Sequence, residues 1–324
     1  MEEMLLLPMP RKINIKKAIC MMPEKPMFFI SGIDQNIDFF SDFIKQITKK
    51  YTGKIWKQTD ALNNAFLSVV CEPSCGVDEQ GYCLTISEKF ITIKGSEPSG
   101  VYYGLCTLNQ ILMQKGKNLP ILEIQDHPDF KRRGVMIDIS RSKVPKMETL
   151  YHLIDLLSSW KINEFQLYTE HTFAYKGHEI VWKDKSPITS EEIKSLDEFC
   201  KKRFVDLVPN QNSFGHFSRW LQYPQYKHLA EDPDRPSTLC PIDPRSIELL
   251  DDLYSQFLPN FTSKYFNVGC DETSLGKRSA DAIKEKGEGR VYLEFLMKIY
   301  QLTKKYGKTM QFWGDIVQRH PELI

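Results

Sequence analysis

Two adjacent carboxylates, Asp271 and Glu272, follow an apolar run from Lys264 to Val268 in the stretch Asn267-Val268-Gly269-Cys270-Asp271-Glu272-Thr273. Neighbouring acids repel, so ionising one disfavours ionising the other, and a fold that holds them together can keep one protonated as a proton donor. The plainer reading is a pair of solvated loop acids capping the next helix. What favours chemistry is company. Further polar groups stand just beyond short apolar runs: Asp138 with Arg141, Glu170 with His171, Asn210 with Asn212 and His216, and Trp313 with Asp315.

Those apolar runs need a scaffold that brings their ends together. Gly134 to Ser140 reads as a strand, and Leu150, Leu153, Ile154 and Leu157 form one apolar helix face after it. The strand Glu164 to Tyr168 precedes a capping box, Thr189-Ser190-Glu191-Glu192, whose helix buries Ile193, Leu196, Cys200 and Phe204. Val205 to Pro209 is a third strand, followed by a long loop and a helix from Ser246 to Leu258. Lys264 to Val268 is the fourth, its helix running from Tyr292 to Lys304 and stopping at Gly307, and Thr309 to Trp313 is the fifth. Alternating strands and helices predict a parallel sheet with right-handed crossovers. An open doubly wound sheet would gather its polar residues at one switch point, whereas here they stand at every strand end, as in a TIM-type (β/α)8 barrel. Five βα units fall short of eight, so the barrel is expected to be incomplete at its C-terminal side.

Before residue 128 the pattern is different. The run Met27-Phe28-Phe29-Ile30, a helix around Ile37, Phe40, Ile44 and Ile47, the strand Ala65 to Val70, a hairpin turning at Ser87-Glu88-Lys89, a helix from Val101 to Met113 and a closing strand Leu119 to Ile124 predict a small α+β layer domain. The expected division is therefore 1–127 for that domain and 128–324 for the barrel. No acid pair, histidine cluster or glycine-rich phosphate loop occurs in the first part, whose expected role is structural.

Composition narrows the partners. Lys plus Arg (43) nearly cancels Asp plus Glu (42), which argues against nucleic acid or an anionic membrane and for a neutral substrate. The start, Met1 to Pro10, carries Glu2 and Glu3 where a signal peptide has basic residues, and Leu5-Leu6-Leu7 is short for its apolar core. Eight scattered cysteines, several inside apolar runs, lack disulfide or zinc-site spacing, so a reducing, cytoplasmic setting is expected.

The ordered motifs resemble family 20 glycoside hydrolases, the β-N-acetylhexosaminidases, over nearly the whole chain. They are Arg133-Gly134-Val135-Met136-Ile137-Asp138-Ile139-Ser140-Arg141, then Lys161-Ile162-Asn163, Gly215-His216, Gly269-Cys270-Asp271-Glu272 and Trp313-Gly314-Asp315. The resemblance implies cleavage of terminal N-acetylhexosamine from a glycan or glycoconjugate, with the substrate's own 2-acetamido oxygen as nucleophile and without cofactor or metal. It makes Glu272 the general acid and base, and Asp271 the carboxylate that orients the acetamido group. Arg141, His216, Trp313, Asp315 and Glu170 are then the expected substrate-binding residues. Cys270 departs from a second glycine usual in that family; its small side chain is expected to fit there, with crowding of the site or sensitivity to oxidation as the alternative. Two other readings stay open. A metal-dependent hydrolase would use Glu170, His171, His216, Asp271 and Glu272 as ligands, and a fragment without the later strands would bind sugar without turnover.

Overall fold

Apolar residues that alternate along short strands can bury only one face of a sheet. Such strands build the first of two units in the computed structural model, which describes residues 4–321. In chain order they are β1 (Lys12–Ile19), β2 (Met27–Ser31), β3 (Lys57–Gln58), β4 (Leu67–Cys71), β5 (Tyr82–Ile86), β6 (Ile91–Gly95) and β7 (Pro120–Asp126). They pair in the order β1-β7-β5-β6-β4-β2-β3. Phe28, Ile30, Leu67, Val69, Leu84, Ile86, Ile91 and Ile93 supply the buried face, with the helices Ile37–Thr52 and Pro98–Lys115 contributing Phe40, Ile44, Leu105, Leu108 and Ile111 to the same core.

Two sequence expectations change here. The strand β1 was not foreseen, because Lys12, Lys16 and Lys17 interrupt its apolar residues and every one of its residues is exposed, as suits a charged edge strand. The second helix starts at Pro98 rather than Val101. Proline fits the first helical turn, and Gly100 belongs inside the helix because a Cβ there would stand 2.1 Å from the Gly81 carbonyl oxygen.

The first unit runs to Arg133 and takes in Asp155–Asn163 and Lys202–Phe204. Phe204 lies with its ring centroid 5.4 Å from that of Tyr102, whose hydroxyl is 3.1 Å from the Ser158 hydroxyl. Lys161 is buried there: its Nζ donates to Asp126 Oδ2 (2.9 Å) and the Tyr82 hydroxyl (3.0 Å).

The second unit holds Gly134–Ile154, Glu164–Lys201 and the chain from Val205 on. Its strands are β8 (Gly134–Asp138), β9 (Glu164–Thr169), β10 (Asp206–Gln211), β11 (Tyr265–Asn267) and β12 (Thr309–Gln311), all parallel. They lie side by side in strict chain order, without the reversal of a doubly wound sheet. That is the winding of a TIM-type barrel, of which the described residues contain five strands. The capping box forms: Glu192 N–H donates to Thr189 Oγ1 (3.2 Å), and Thr189 N–H to Glu192 Oε2 (2.9 Å). Polar side chains were not expected within these strands. Gln166 Oε1 nevertheless accepts from Asn210 Nδ2 (2.8 Å) and Asn267 Nδ2 (3.1 Å), an amide cluster that interrupts the apolar pattern.

Candidate active site

Each strand end delivers a different group. Just past β8, Arg141 donates from Nη1 to Asp138 Oδ2 (2.7 Å) and lies within 2.9 Å of Glu170 Oε1. Its guanidinium sits over the Tyr168 ring, 5.3 Å from the centroid, yet its side chain is still 51% exposed. Two carboxylates and an aromatic face fix the fork while leaving donors free for a ligand. From β9, the Tyr168 hydroxyl donates to Glu170 Oε1 (2.9 Å) and accepts from Asn212 Nδ2 (3.1 Å).

The loops after β10 and β11 are pressed together, and sequence explains how. A Cβ on Gly215 would stand 2.3 Å from the Asp271 carbonyl oxygen, and one on Gly269 would stand 2.7 Å from the Asn212 side chain. His216 (φ 57°), Cys270 (φ 68°) and Glu272 (φ 47°) all adopt the left-handed backbone that side chains disfavour. Such a concentration of strained residues at one place is a mark of a functional site.

Within that contact, Asn212 Nδ2 donates to Asp271 Oδ1 (2.7 Å) and His216 Nε2 lies 3.3 Å from Asp271 Oδ2. Burial opposes ionisation of Asp271, but the His216 ring and the Asn212 amide outweigh it and hold its carboxyl below the usual range. Conversely, the hydrogen bond to Asp271 raises His216 above its ordinary value, against the effect of burial. The other imidazole nitrogen, Nδ1, faces both Arg141 Nη2 (3.3 Å) and Glu170 Oε1 (3.5 Å). A neutral ring can therefore accept from Arg141, and a protonated ring can donate to Glu170. Desolvation raises Glu170, partly offset by Tyr168 and Arg141.

Glu272 is placed differently. Its side chain is 73% exposed, with Oε2 3.5 Å from His216 Nε2, and its backbone N–H donates to Asp315 Oδ2 (3.3 Å). Met136, Asp138, Arg141, Tyr168, His216, Asp271, Glu272 and Trp313 line an open cavity of about 210 Å³. The structure thus brings Asp271, Glu272, Arg141, His216 and Trp313 around one space. Glu170 supports Arg141 and Tyr168 from beside it, and Asp315 supports the Glu272 backbone; neither lines the cavity.

Asn212 and Tyr168 join the site although nothing in the sequence alone marks them for a role; the one signal for Asn212 is its place among the strand-end polar residues, one position beyond β10. His171 stays apart from the cluster. It is buried, and burial together with Arg219 and Lys185 lowers its pKa to about 4. Among the described residues, no three His, Cys, Asp or Glu side chains are grouped to hold a metal ion. Cys270 is accommodated within the core of the site, and the oxidation alternative is disfavoured. Its thiol is buried, and desolvation with the nearby Asp271 and Asp315 raises its pKa far above the ordinary value, so it forms little of the thiolate that oxidants attack.

Comparison with known proteins places this geometry. Residues 130–323 match the glycosyl hydrolase family 20 catalytic domain and residues 4–127 match domain 2 of the same family. The chain is 26% identical over 291 residues to lacto-N-biosidase from Bifidobacterium bifidum, a match covering 84% of this chain and 25% of that protein. It is 23% identical to the β-hexosaminidase of Porphyromonas gingivalis, covering 94% of this chain and 46% of that one. Among solved structures, the Flavobacterium johnsoniae chitobiase superposes with a TM-score of 0.84 at 24% identity, covering 96% of this chain and 52% of the other. A β-N-acetylhexosaminidase from Bacteroides fragilis gives a TM-score of 0.80 at 20% identity, covering 97% and 67%. The chain spans from a quarter to about half the length of the first curated relatives it matches. With both domain matches in register along its sequence, the chain belongs to glycosyl hydrolase family 20.

Proposed function

We propose that the chain carries the catalytic carboxylates for hydrolysis of terminal, non-reducing β-N-acetylhexosaminides by substrate-assisted, retaining catalysis. The observation that carries this reading is the Asp271–Glu272 pair, in which Asp271 is fixed by Asn212 and His216 while Glu272 reaches into the open cavity.

An amide oxygen is a weak nucleophile. It attacks the anomeric carbon only if the positive charge that develops across the acetamido group is taken up, and an ionised Asp271 facing its N–H does that. As the carbonyl oxygen bonds to the anomeric carbon, the bond to the leaving oxygen breaks and the Glu272 carboxyl gives that oxygen its proton. The product of this step is a cyclic oxazolinium ion and a free alcohol. Water then attacks the same carbon, its proton passes to the Glu272 carboxylate, and the ring opens to restore the acetamido group with retained configuration. Arg141, held by Asp138 and Glu170, is proposed to bind sugar hydroxyls, and Trp313 to wall the acetamido side of the cavity.

The substrate class is a neutral glycan or glycoconjugate ending in N-acetylhexosamine, in keeping with a near balance of 43 basic and 42 acidic residues. A reducing, cytoplasmic setting is proposed with it, supported by eight cysteines that are all free thiols. The function is tested by comparing an aryl N-acetylglucosaminide with the matching aryl glucoside. Replacing the acetamido group by hydroxyl removes the nucleophile, so turnover should collapse more than binding does. Comparable turnover of both would end the substrate-assisted reading.

A further inference from the structure

The loop that carries Glu272 is pinned from a distant part of the chain. Glu231 is fully buried (0% exposed). Its Oε1 accepts from the backbone N–H groups of Gly276 (3.1 Å), Lys277 (3.0 Å) and Ser279 (3.0 Å), and from the Ser279 hydroxyl (2.6 Å). The other oxygen, Oε2, has no hydrogen-bond partner among the described residues. Removing a carboxylate from water is costly unless other donors replace the water, and here converging backbone amides do so on a single oxygen.

The attachment extends beyond the Glu231 side chain. Ser274 N–H donates to Thr238 Oγ1 (3.1 Å) and Arg278 N–H to the Glu231 carbonyl (3.3 Å). The segment holding Glu231 also grips the loop of His216: Leu239 N–H donates to the Phe214 carbonyl (3.0 Å) and Phe217 N–H to the Ser237 carbonyl (2.8 Å). One segment therefore frames the loops bearing His216 and Glu272. Glu272 has few restraints of its own, with an exposed side chain on a left-handed backbone.

We infer that Glu231 is a positioning residue for proton transfer: by fixing residues 274–279 it holds Glu272 at the cavity, within reach of the leaving oxygen. This rests on the hydrolase reading above. It predicts a particular failure when the anchor is lost. Glu272 drifts, so reactions that need a proton donor suffer, while the binding groups Arg141 and Asp271, held by other contacts, keep their places.

The test uses the full chain with Glu231→Leu, which removes the acceptor, and Glu231→Gln, whose amide oxygen can take the donors now on Oε1. For a poor leaving group, Glu231→Leu should lower kcat about 10- to 100-fold with KM changed less than about threefold, and should spare an activated aryl glycoside. Glu231→Gln should restore most of the rate. Amide hydrogen exchange in Glu231→Leu should quicken at Gly276, Lys277 and Ser279 while β10 and β11 stay protected. Equal loss on both leaving groups, failure of Gln to rescue, or uniform quickening of exchange would overturn the assignment. If Glu231→Leu does not fold, Thr238→Val removes only the acceptor for Ser274 and should show the same pattern more weakly; its absence would count equally against the anchor. A wild-type chain that hydrolyses no N-acetylhexosaminide would sink the hydrolase reading, and unchanged exchange at the three amides would separately sink the anchor.

Discussion

The molecule contains two clusters of oppositely charged groups with tyrosine beside them, and they serve different ends. In the first unit, Lys161, Asp126 and Tyr82 form a sealed group: the ion pair has side chains only 8% and 11% exposed, and burial with the nearby Asp126 raises the Tyr82 hydroxyl well above its ordinary pKa. At the strand ends of the second unit, Arg141, Glu170, His216, Asp271 and Tyr168 form a chain of contacts that ends in the exposed carboxylate of Glu272. The sealed cluster satisfies its charges internally. The open one spends part of its bonding on orientation and presents an acid and a guanidinium to solvent. Left-handed backbone does not separate the two, since Lys161 (φ 64°) in the sealed cluster shares it with His216 and Glu272 in the open one; exposure does.

The sharpest way to break this contrast is to mutate the open cluster and watch activity. Glu272→Gln should cost roughly 10²–10⁴-fold in kcat on substrates with poor leaving groups, and less on activated aryl glycosides, because only the former need protonation. Asp271→Asn should reduce both classes by roughly 10²–10³-fold, since the charge that stabilises the oxazolinium is lost whatever the leaving group. Steady-state kinetics on a leaving-group series checks both.

The sealed cluster should respond in stability instead. Lys161→Met leaves Asp126 buried without its cation and should destabilise the fold by about 3–5 kcal/mol, with kcat per folded molecule unchanged. Denaturant melts read beside active-site titration test this. Loss of activity without loss of stability would erase the distinction between the clusters.

A smaller effect separates the clusters by pH. His216 has its pKa raised and Asp271 has its pKa lowered, each through the other. The histidine's share of stability is present below its unfolded pKa of about 6.5 and is lost as pH rises through its higher folded value. The aspartate's share is present above its unfolded pKa of about 3.9 and is lost as pH falls through its lower folded value. Between those limits both contribute, so His216→Gln should destabilise most near pH 5–6 and progressively less as the pH rises through the histidine's folded value. Melting curves across pH measure the difference between wild type and variant, and a pH-independent difference would remove the ionic part of the contact. The smallest change expected is Cys270→Gly. Relief of the left-handed backbone and loss of a buried thiol oppose each other, leaving stability within about 1 kcal/mol of wild type.

Much of the second unit was legible in sequence because local and global signals agree there. Apolar strands, the Thr189–Glu192 capping box and Gly307 just past the helix Glu288–Lys305 each mark a boundary that the fold uses. The acid pair was visible because two carboxylates at a strand end are unusual. What stayed hidden depends on packing across loops. Asn212 is an ordinary polar residue until Gly269 lets the loop after β11 approach it, and Glu231 lies forty positions before Asp271 with nothing local to distinguish it. Likewise β1 was missed because its lysines obey edge-strand rules rather than the alternation that marks a half-buried strand.

The account's central claim is that Asp271 and Glu272 divide the labour, one stabilising the charged intermediate and the other moving the proton. Calorimetric titration with a thiazoline mimic of the oxazolinium ion tests that division directly, because a bound mimic needs no proton transfer. The wild-type chain should bind it, Asp271→Asn should weaken binding by about 100-fold, and Glu272→Gln by less than about tenfold. Equal weakening by both variants, or no binding by the wild type, would contradict it.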